Sequence, residues 1–172
     1  MDFATSADPA VQRQLDRLAA LSVPQGRLGL GTIRALLDRL GNPHLRLPPV
    51  FHVAGTNGKG STCAFMRAMM EAAGLSVHVF TSPHLVRFNE RIRLAGEIVD
   101  DVRLIDWLER TYDAIKGQEI TQFEATTATA LLAFSEVPAD VLILEVGLGG
   151  SYDATNVIDQ PALSVITPID FD

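Results

Sequence analysis

Residues 50–61 read VFHVAGTNGKGS, a short apolar, β-prone run that passes straight into glycines, an asparagine, a lysine and a hydroxyl side chain. The run that follows, from Thr62 to Ala73, has the composition of a helix. Strand, glycine-rich turn and helix in this order make a phosphate cradle. The glycines let backbone N–H groups approach phosphate oxygens, the helix N-terminus adds a positive dipole, and Lys59 adds a point charge. The candidate phosphate-binding residues are Gly55, Thr56, Asn57, Gly58, Lys59, Gly60 and Ser61. Lys59 is the candidate catalytic residue, neutralising the β- and γ-phosphates, while Thr56, Asn57 and Gly58 offer backbone donors. Ser61 or Thr62 can place a hydroxyl near phosphate or metal, or simply cap the helix. The strict form of this motif has a glycine five positions before the Gly-Lys pair and Ser or Thr directly after the lysine. Here Val53 holds the first position and Gly60 follows Lys59, so the loop is a variant.

Working outward, apolar runs suited to strands alternate with amphipathic runs suited to helices. Val50–Ala54, Val77–Phe80, Val141–Leu144 and Leu163–Thr167 read as strands, and Arg91–Leu94 with Glu97–Val99 as a small hairpin. Helices are expected over Val11–Leu21 (stopped by Pro24 and Gly26), Thr32–Leu40 with Thr32 as cap, Ser61–Ala73, a segment capped by Asp101, and one from Thr121 to about Glu136. Thr121 and Glu124 have capping-box spacing. Residues 1–10 are small and polar and are expected to be mobile. The alternation predicts an α/β fold, a mostly parallel sheet flanked by helices. Such sheets bind ligands beyond the carboxyl ends of their strands. The loops at Gly55–Ser61, Thr81–His84, Glu145–Asn156 and from Pro168 onward each follow a strand, so they are expected to converge on one edge.

The chain has 172 residues, a formal net charge of −7 and 47% hydrophobic residues. That composition fits a globular domain with a real core. No basic tract exists to neutralise a nucleic-acid backbone, so nucleic acid is excluded as the main partner. The single cysteine, Cys63, cannot form an intrachain disulfide, which fits a reducing compartment. No apolar run approaches the roughly 20 residues that span a bilayer. The first residues lack a basic and apolar leader pattern. No membrane partner and a cytoplasmic location are therefore expected.

Three further motifs invite chemistry. Thr81-Ser82-Pro83-His84 follows a strand and reads as a proline turn or as a site loop. Glu145 ends an apolar strand, where a carboxylate is costly if buried unpaired. Either a salt bridge or a hard cation beside the phosphates answers that cost, and magnesium takes oxygen ligands of this kind. Gly147-Leu148-Gly149-Gly150 suggests a dinucleotide fingerprint but fails it, since Tyr152 stands where the last glycine should be. His44, His52 and His78, Cys63, Trp107 and Met66, Met69 and Met70 read as turn, strand or packing residues.

Five blocks, in order, carry a resemblance: LLDRLGNPHLRLPPV (36–50), HVAGTNGKGS (52–61), TSPHLVRFNERIRLAGE (81–97), TQFEATTATA (121–130) and VLILEVGLGGSYDATN (141–156). Together they resemble the folylpolyglutamate synthase and dihydrofolate synthase branch of the Mur ligase superfamily. The resemblance implies a P-loop NTPase-like fold of the Mur ligase central-domain type, truncated. Residues 1–28 would be an N-terminal extension and helix. Residues 29–172 would be the N-terminal part of the ATP-binding domain, with a C-terminal Rossmann-like domain absent. It implies ATP and Mg2+ as cofactors, with Ser82 and Glu145 as metal ligands. Thr121, Phe123, Gly150 and Asp153 would form a pterin site, with Phe123 stacking and Asp153 bonding the ring. From the residues alone, Phe123 reads as core, Glu124 as the capping acid and Asp153 as a possible cap of the 154–156 turn.

The implied reaction is ATP-dependent addition of L-glutamate to dihydropteroate or folate through an acyl phosphate. A cell-wall peptide ligase, a P-loop kinase and a non-catalytic nucleotide-binding module are the alternatives. Two departures stand out: Ser151-Tyr152 replaces the family's Arg-Leu before DATN, and the chain stops at IDFD, short of the family's further metal, adenine and glutamate contacts. The resemblance therefore implies a fragment inactive alone and able to self-associate, from a monomeric parent.

Overall fold

A computed structural model of the chain describes residues 5–21 and 29–170. Its centre is a six-stranded sheet. The strands are β1 (Val50–Ala54), β2 (Val77–Phe80), β3 (Ile92–Leu94), β4 (Glu97–Ile98), β5 (Val141–Glu145) and β6 (Leu163–Ile166), in spatial order β4-β3-β2-β5-β1-β6. The four strands β2, β5, β1 and β6 run parallel, and the β3–β4 hairpin adds two antiparallel strands at one edge. The expected α/β class and mostly parallel sheet are present.

Alternation along the strands divides the core. Val77, Val79, Val141, Ile143 and Val53 face one helix, α3 (Lys59–Ala72), and pack on Cys63, Met66 and Met70. Val50, Phe80, Leu142 and Leu144 face the opposite layer, made of α1 (Pro9–Leu21), α2 (Gly31–Arg39), α4 (Asp101–Ile115) and α5 (Gln122–Glu136). β5 is buried along its whole length, as expected for a central parallel strand with both faces covered. Within the helical layer α5 is the innermost element, and Ala125 to Phe134 are all buried. Its start is fixed by the expected capping box: Thr121 Oγ1 accepts the Glu124 N–H at 3.2 Å and Glu124 Oε2 accepts the Thr121 N–H at 2.9 Å.

Several expected boundaries shift. The helix expected from Thr32 begins at Gly31 with Leu30 as its cap residue, without a side-chain cap bond. Asp100 rather than Asp101 caps α4, its Oδ1 accepting the Arg103 N–H at 2.9 Å. The hairpin strand expected from Arg91 starts at Ile92, because residues 88–91 form a 3-10 turn that buries Arg91. Residues 5–10 are not loose: Asp8 Oδ1 accepts the N–H groups of Ala10 and Val11 and starts α1. The stop at Pro24 and Gly26 lies outside the described residues. Among the described residues no helix is long and apolar enough to cross a membrane.

His78 on β2 is fully buried and hydrogen-bonded at both ring nitrogens. Nε2 meets the Val137 carbonyl at 2.9 Å and Nδ1 accepts the Ala95 N–H at 2.9 Å, which fixes the neutral Nε2–H form. Burial lowers the pKa of His78, partly offset by the Val137 carbonyl. Burial also lowers those of His52 and His44. The unfolded chain thus takes up protons at these rings first. Their stabilising contribution is complete above the ordinary imidazole value of about 6.5 and is lost as pH falls towards the lower folded values. Urea midpoints measured from pH 8 to pH 5 are expected to fall below about pH 6.5, with a slope of up to about 1.4 kcal/mol per pH unit for each histidine. His78→Gln is expected to be less stable at pH 8 with a shallower acid slope; an unchanged slope would assign the effect elsewhere.

Candidate functional site

The carboxyl ends of β1, β2, β5 and β6 meet at one edge, and the loops leaving them touch. Gly55 leaves β1 at a φ of 131°. A methyl at that position would overlap Thr167 Oγ1 and come within 2.8 Å of the Thr167 carbonyl oxygen, so the loop passes β6 at a distance only glycine permits. Gly58, at φ 84°, is the cap residue of α3. The first N–H groups of a helix have no intrahelical partner, and the first intrahelical bond here is Thr62 N–H to Gly58 O at 2.9 Å. The amides of Lys59, Gly60 and Ser61 are therefore the donors this loop presents to an anion.

Two of the expected backbone donors are otherwise engaged. The N–H groups of Thr56 and Asn57 both bond the Pro168 carbonyl, at 3.1 and 3.2 Å. They stitch the loop to the segment after β6 instead of facing a phosphate. Lys59 Nζ curls over the loop and donates to the carbonyls of Gly55 at 2.7 Å and Thr56 at 3.3 Å.

Beside this loop stands Glu145, the last residue of β5 and only 4% exposed. Its Oε2 accepts the backbone N–H of Ser82 at 2.9 Å, so the loop after β2 and the end of β5 are joined. Burial raises the Glu145 pKa, and the Ser82 N–H and the Lys59 charge partly offset that rise. No arginine pairs with it among the described residues. Ser82 Oγ is itself buried and has no hydrogen-bond partner. A carboxylate and an orphaned hydroxyl, both buried beside a phosphate loop, form a donor set that suits a hard divalent cation. Magnesium commonly takes only one or two protein carboxylates and completes its shell with phosphate and water oxygens. Among the described residues no three His, Cys, Asp or Glu side chains cluster to hold a metal by themselves.

The chain continues from Glu145 into the glycine loop, which borders a cavity of about 560 Å³. Thr121, Phe123, Gly150 and Asp153 all line it, so the four expected pterin residues share one cavity. Tyr152 lies at this cavity and is 64% exposed. Phe123 packs at the edge of the core, its ring 6.2 Å from that of Phe80.

Asp153 departs from the ring-binding expectation. Its Oδ2 accepts the N–H groups of Gly147 at 3.1 Å and Leu148 at 2.9 Å, and its Oδ1 accepts the Thr155 N–H at 2.9 Å and hydroxyl at 2.6 Å. This is the capping role; a ring amine would have to share an already occupied carboxylate. Cys63 sits near Glu145, and burial followed by that carboxylate pushes its thiol up to about 12, so it is a packing residue. Sequence reasoning brought the segment from Pro168 onward to this edge but gave no role to Thr167 or the Pro168 carbonyl, whose partners lie across the sheet, and it missed Glu90, whose carboxylate accepts the N–H groups of Leu85, Val86 and Arg87 and shapes the loop after Ser82.

Comparison with known proteins gives the same frame. No family model matches the chain. A Bacillus subtilis protein named dihydrofolate synthase/folylpolyglutamate synthase is 45% identical over 151 residues, covering 84% of this chain and 35% of that protein. The chain belongs to the dihydrofolate synthase/folylpolyglutamate synthase family. A solved structure of Escherichia coli FolC in complex with DHPP and ADP matches with a TM-score of 0.88 at 39% identity, covering 98% of this chain and 40% of that one. A bifunctional folylpolyglutamate synthase/dihydrofolate synthase solved with Mn, AMPPNP and L-glutamate bound matches with a TM-score of 0.87 at 37% identity, covering 99% and 41%. The chain spans about a third of the length of the curated family members it matches.

Two glycines separate the two halves of the site experimentally. An alanine at Gly55 meets backbone, whereas an alanine at Gly147 overlaps Phe123 Cζ and stands 2.9 Å from two further ring atoms. A ring can rotate; a strand-end carbonyl cannot. Gly55→Ala is expected to lower stability by more than about 1 kcal/mol and to abolish nucleotide binding. Gly147→Ala is expected to keep most of the stability but to narrow the cavity and weaken whatever ring ligand it holds, because Phe123 is pushed into it. Thermal melts paired with titrations of each ligand distinguish the two.

Proposed function

We propose that this chain forms the phosphate-binding and pterin-binding part of an ATP-dependent acid–amino-acid ligase, which adds L-glutamate to dihydropteroate or folate through an acyl phosphate. The observation that carries the reading is the adjacency of the two half-sites. The phosphate loop and the 560 Å³ cavity stand on neighbouring strand ends, with Glu145 at the start of the loop that leads into the cavity. The relatives support it over a cell-wall peptide ligase or a non-catalytic nucleotide-binding module.

In this reading Lys59 exchanges the Gly55 and Thr56 carbonyls for phosphate oxygens and holds positive charge where negative charge builds. The amides of Lys59, Gly60 and Ser61 bind and orient the phosphate chain, a task that dominates phosphoryl-transfer catalysis. Glu145 and Ser82 Oγ would hold magnesium, which would supply charge neutralisation between the phosphates and the attacking carboxylate. Thr121, Phe123 and Gly150 would bind the pterin, with Asp153 keeping the glycine loop in shape. Holding both reactants in one frame is the protein's main contribution to rate. The amine of L-glutamate would then displace phosphate.

Glutamate- and dihydropteroate-dependent ADP formation, measured on this chain completed to the length of its relatives, tests the reaction. Lys59→Ala is expected to lower turnover about 10²–10³-fold without unfolding the protein. Glu145→Gln is expected to abolish the magnesium dependence of ATP binding. Near-normal turnover in a folded Lys59→Ala protein would sink the reading.

The 172-residue chain by itself is expected to bind ATP weakly, to form no folate and to self-associate, and a chain extended to the length of its relatives to be a monomer. The support for self-association is the β6 edge, where Ile166 is 70% and the neighbouring Ile169 76% exposed. Contiguous exposed apolar surface promotes association. Sedimentation of the 172-residue chain over a range of concentrations is expected to show mass rising with concentration, and Ile166→Lys with Ile169→Lys to suppress it. A monomer at all concentrations would contradict the proposal.

A further inference from the structure

His52 occupies the third position of β1, two residues before the chain turns into the phosphate loop, and its ring faces away from α3. It is 9% exposed, and its Nε2 lies 2.8 Å from Thr155 Oγ1. Thr155 is fully buried, and its hydroxyl lies 2.6 Å from Asp153 Oδ1. The other Asp153 oxygen collects the amides of Gly147 and Leu148.

Proton counting fixes the direction of this chain of bonds. The Asp153 carboxylate accepts from four donors, so the single Thr155 hydroxyl proton points to it. Thr155 Oγ1 is left with lone pairs only on its other side, so His52 must present Nε2–H. Each member thus has one arrangement that satisfies all the others, and the ends of the chain are a sheet strand and a glycine-rich loop.

We propose that His52, acting through Thr155 and Asp153, is a positioning residue for the pterin cavity: it fixes the shape of the 147–153 loop from the same strand that feeds the phosphate loop. The proposal rests on the reading of that cavity as the pterin site. Glycines give the loop little shape of its own, and beyond the contact of Gly147 with Phe123 packing does little to fix it, since Leu148 is 75% exposed. Two amide bonds to one buried carboxylate are what hold its first two residues. Rotation of the Asp153 carboxylate would release both, and the Thr155 hydroxyl opposes that rotation. Without the His52 donor, Thr155 Oγ1 loses its second partner and the hydroxyl loses one reason to keep its rotamer. Ring binding depends on the line of the 148–153 backbone along the cavity wall, so pterin affinity should feel a change made on the far side of the loop. Phosphate binding, which uses the amides of 59–61, should not.

The test uses Thr155→Val, which keeps the shape and removes the hydroxyl, together with His52→Phe, Thr155→Ser and His52→Gln. Pteroate affinity, ATP affinity and amide exchange at Gly147 and Leu148 are measured on the wild-type chain and each variant, with thermal melts to establish folding. Thr155→Val and His52→Phe are expected to weaken pteroate binding several-fold, the size of effect of one lost hydrogen bond. Both should accelerate exchange at Gly147 and Leu148 and leave ATP affinity unchanged. Thr155→Ser and His52→Gln, which restore a hydroxyl or an Nε2–H donor, should recover most of both losses. The double variant should be no worse than the worse single one, because the residues act as one unit. Unchanged exchange at both amides in folded Thr155→Val overturns the proposal, as does an equal loss of ATP affinity. A wild-type chain that binds no pteroate refutes the pterin reading instead, and the exchange data then decide the positioning role by themselves.

Discussion

Glu145 is buried at the carboxyl end of the central strand, and the Ser82 amide is its one hydrogen-bond partner among the described residues. Taking a carboxylate out of water costs several kcal/mol even in a relaxed protein, on the order of what a whole helix cap or salt bridge contributes several times over. The surroundings are arranged around that cost. The loop after β2 turns so that its amide faces Glu145, Gly60 leaves room beside the carboxylate, and Lys59 acts on it through space without closing an ion pair. The result is an anion only partly compensated by the protein, at the meeting point of the phosphate loop and the glycine loop. The architecture on either side can be read as support for this one placement. α3 and α5 bury both faces of the sheet, and β5 has neighbours on both edges.

What was legible in the sequence shares one property: the partners are close in the chain. The phosphate loop, the Thr121–Glu124 capping box and the apolar run of β5 are patterns within a few residues, and they stand where expected. The convergence of the loops was also legible, because parallel strands joined by helices must leave their carboxyl ends on one side. The illegible part lies across the sheet. Nothing near Thr56 and Asn57 announces that the Pro168 carbonyl will take their amides, since that partner is brought in by the pairing of β1 with β6. Asp153 was equivocal for a related reason. A short acidic side chain before a turn serves equally as cap or ligand, and only the path of Gly147 and Leu148 past it decides that its oxygens are already taken. The off-by-one helix starts at Gly31 and Asp101 arise where two cap-capable or neutral residues are adjacent and local preference does not choose between them.

The two histidines on β1 and β2, either side of β5, show how the same residue type serves different ends. His78 on β2 ties the β3–β4 turn to the end of α5, bonding one backbone carbonyl and one backbone amide. His52 on β1 bonds a side chain that is itself bonded to a carboxylate. Both rings are held neutral by burial. The first is part of the scaffold at the far end of the sheet from the site, and the second reaches from the scaffold into the site's loop.

The strand order carries a consequence for how such a molecule is made. β1 and β2 never pair with one another; each pairs with β5, which is the fifth strand along the chain. As the polypeptide leaves the ribosome, the phosphate-loop strand has no strand neighbour and the Ser82 strand only its antiparallel partner β3 until the hydrophobic segment ending in Glu145 arrives and slots between them. Long-range parallel pairing of this kind is slow, and it leaves open strand edges exposed to neighbouring chains in the interval. The nucleotide site is accordingly incomplete until that segment has emerged. Its assembly waits on the same strand that brings in the buried carboxylate.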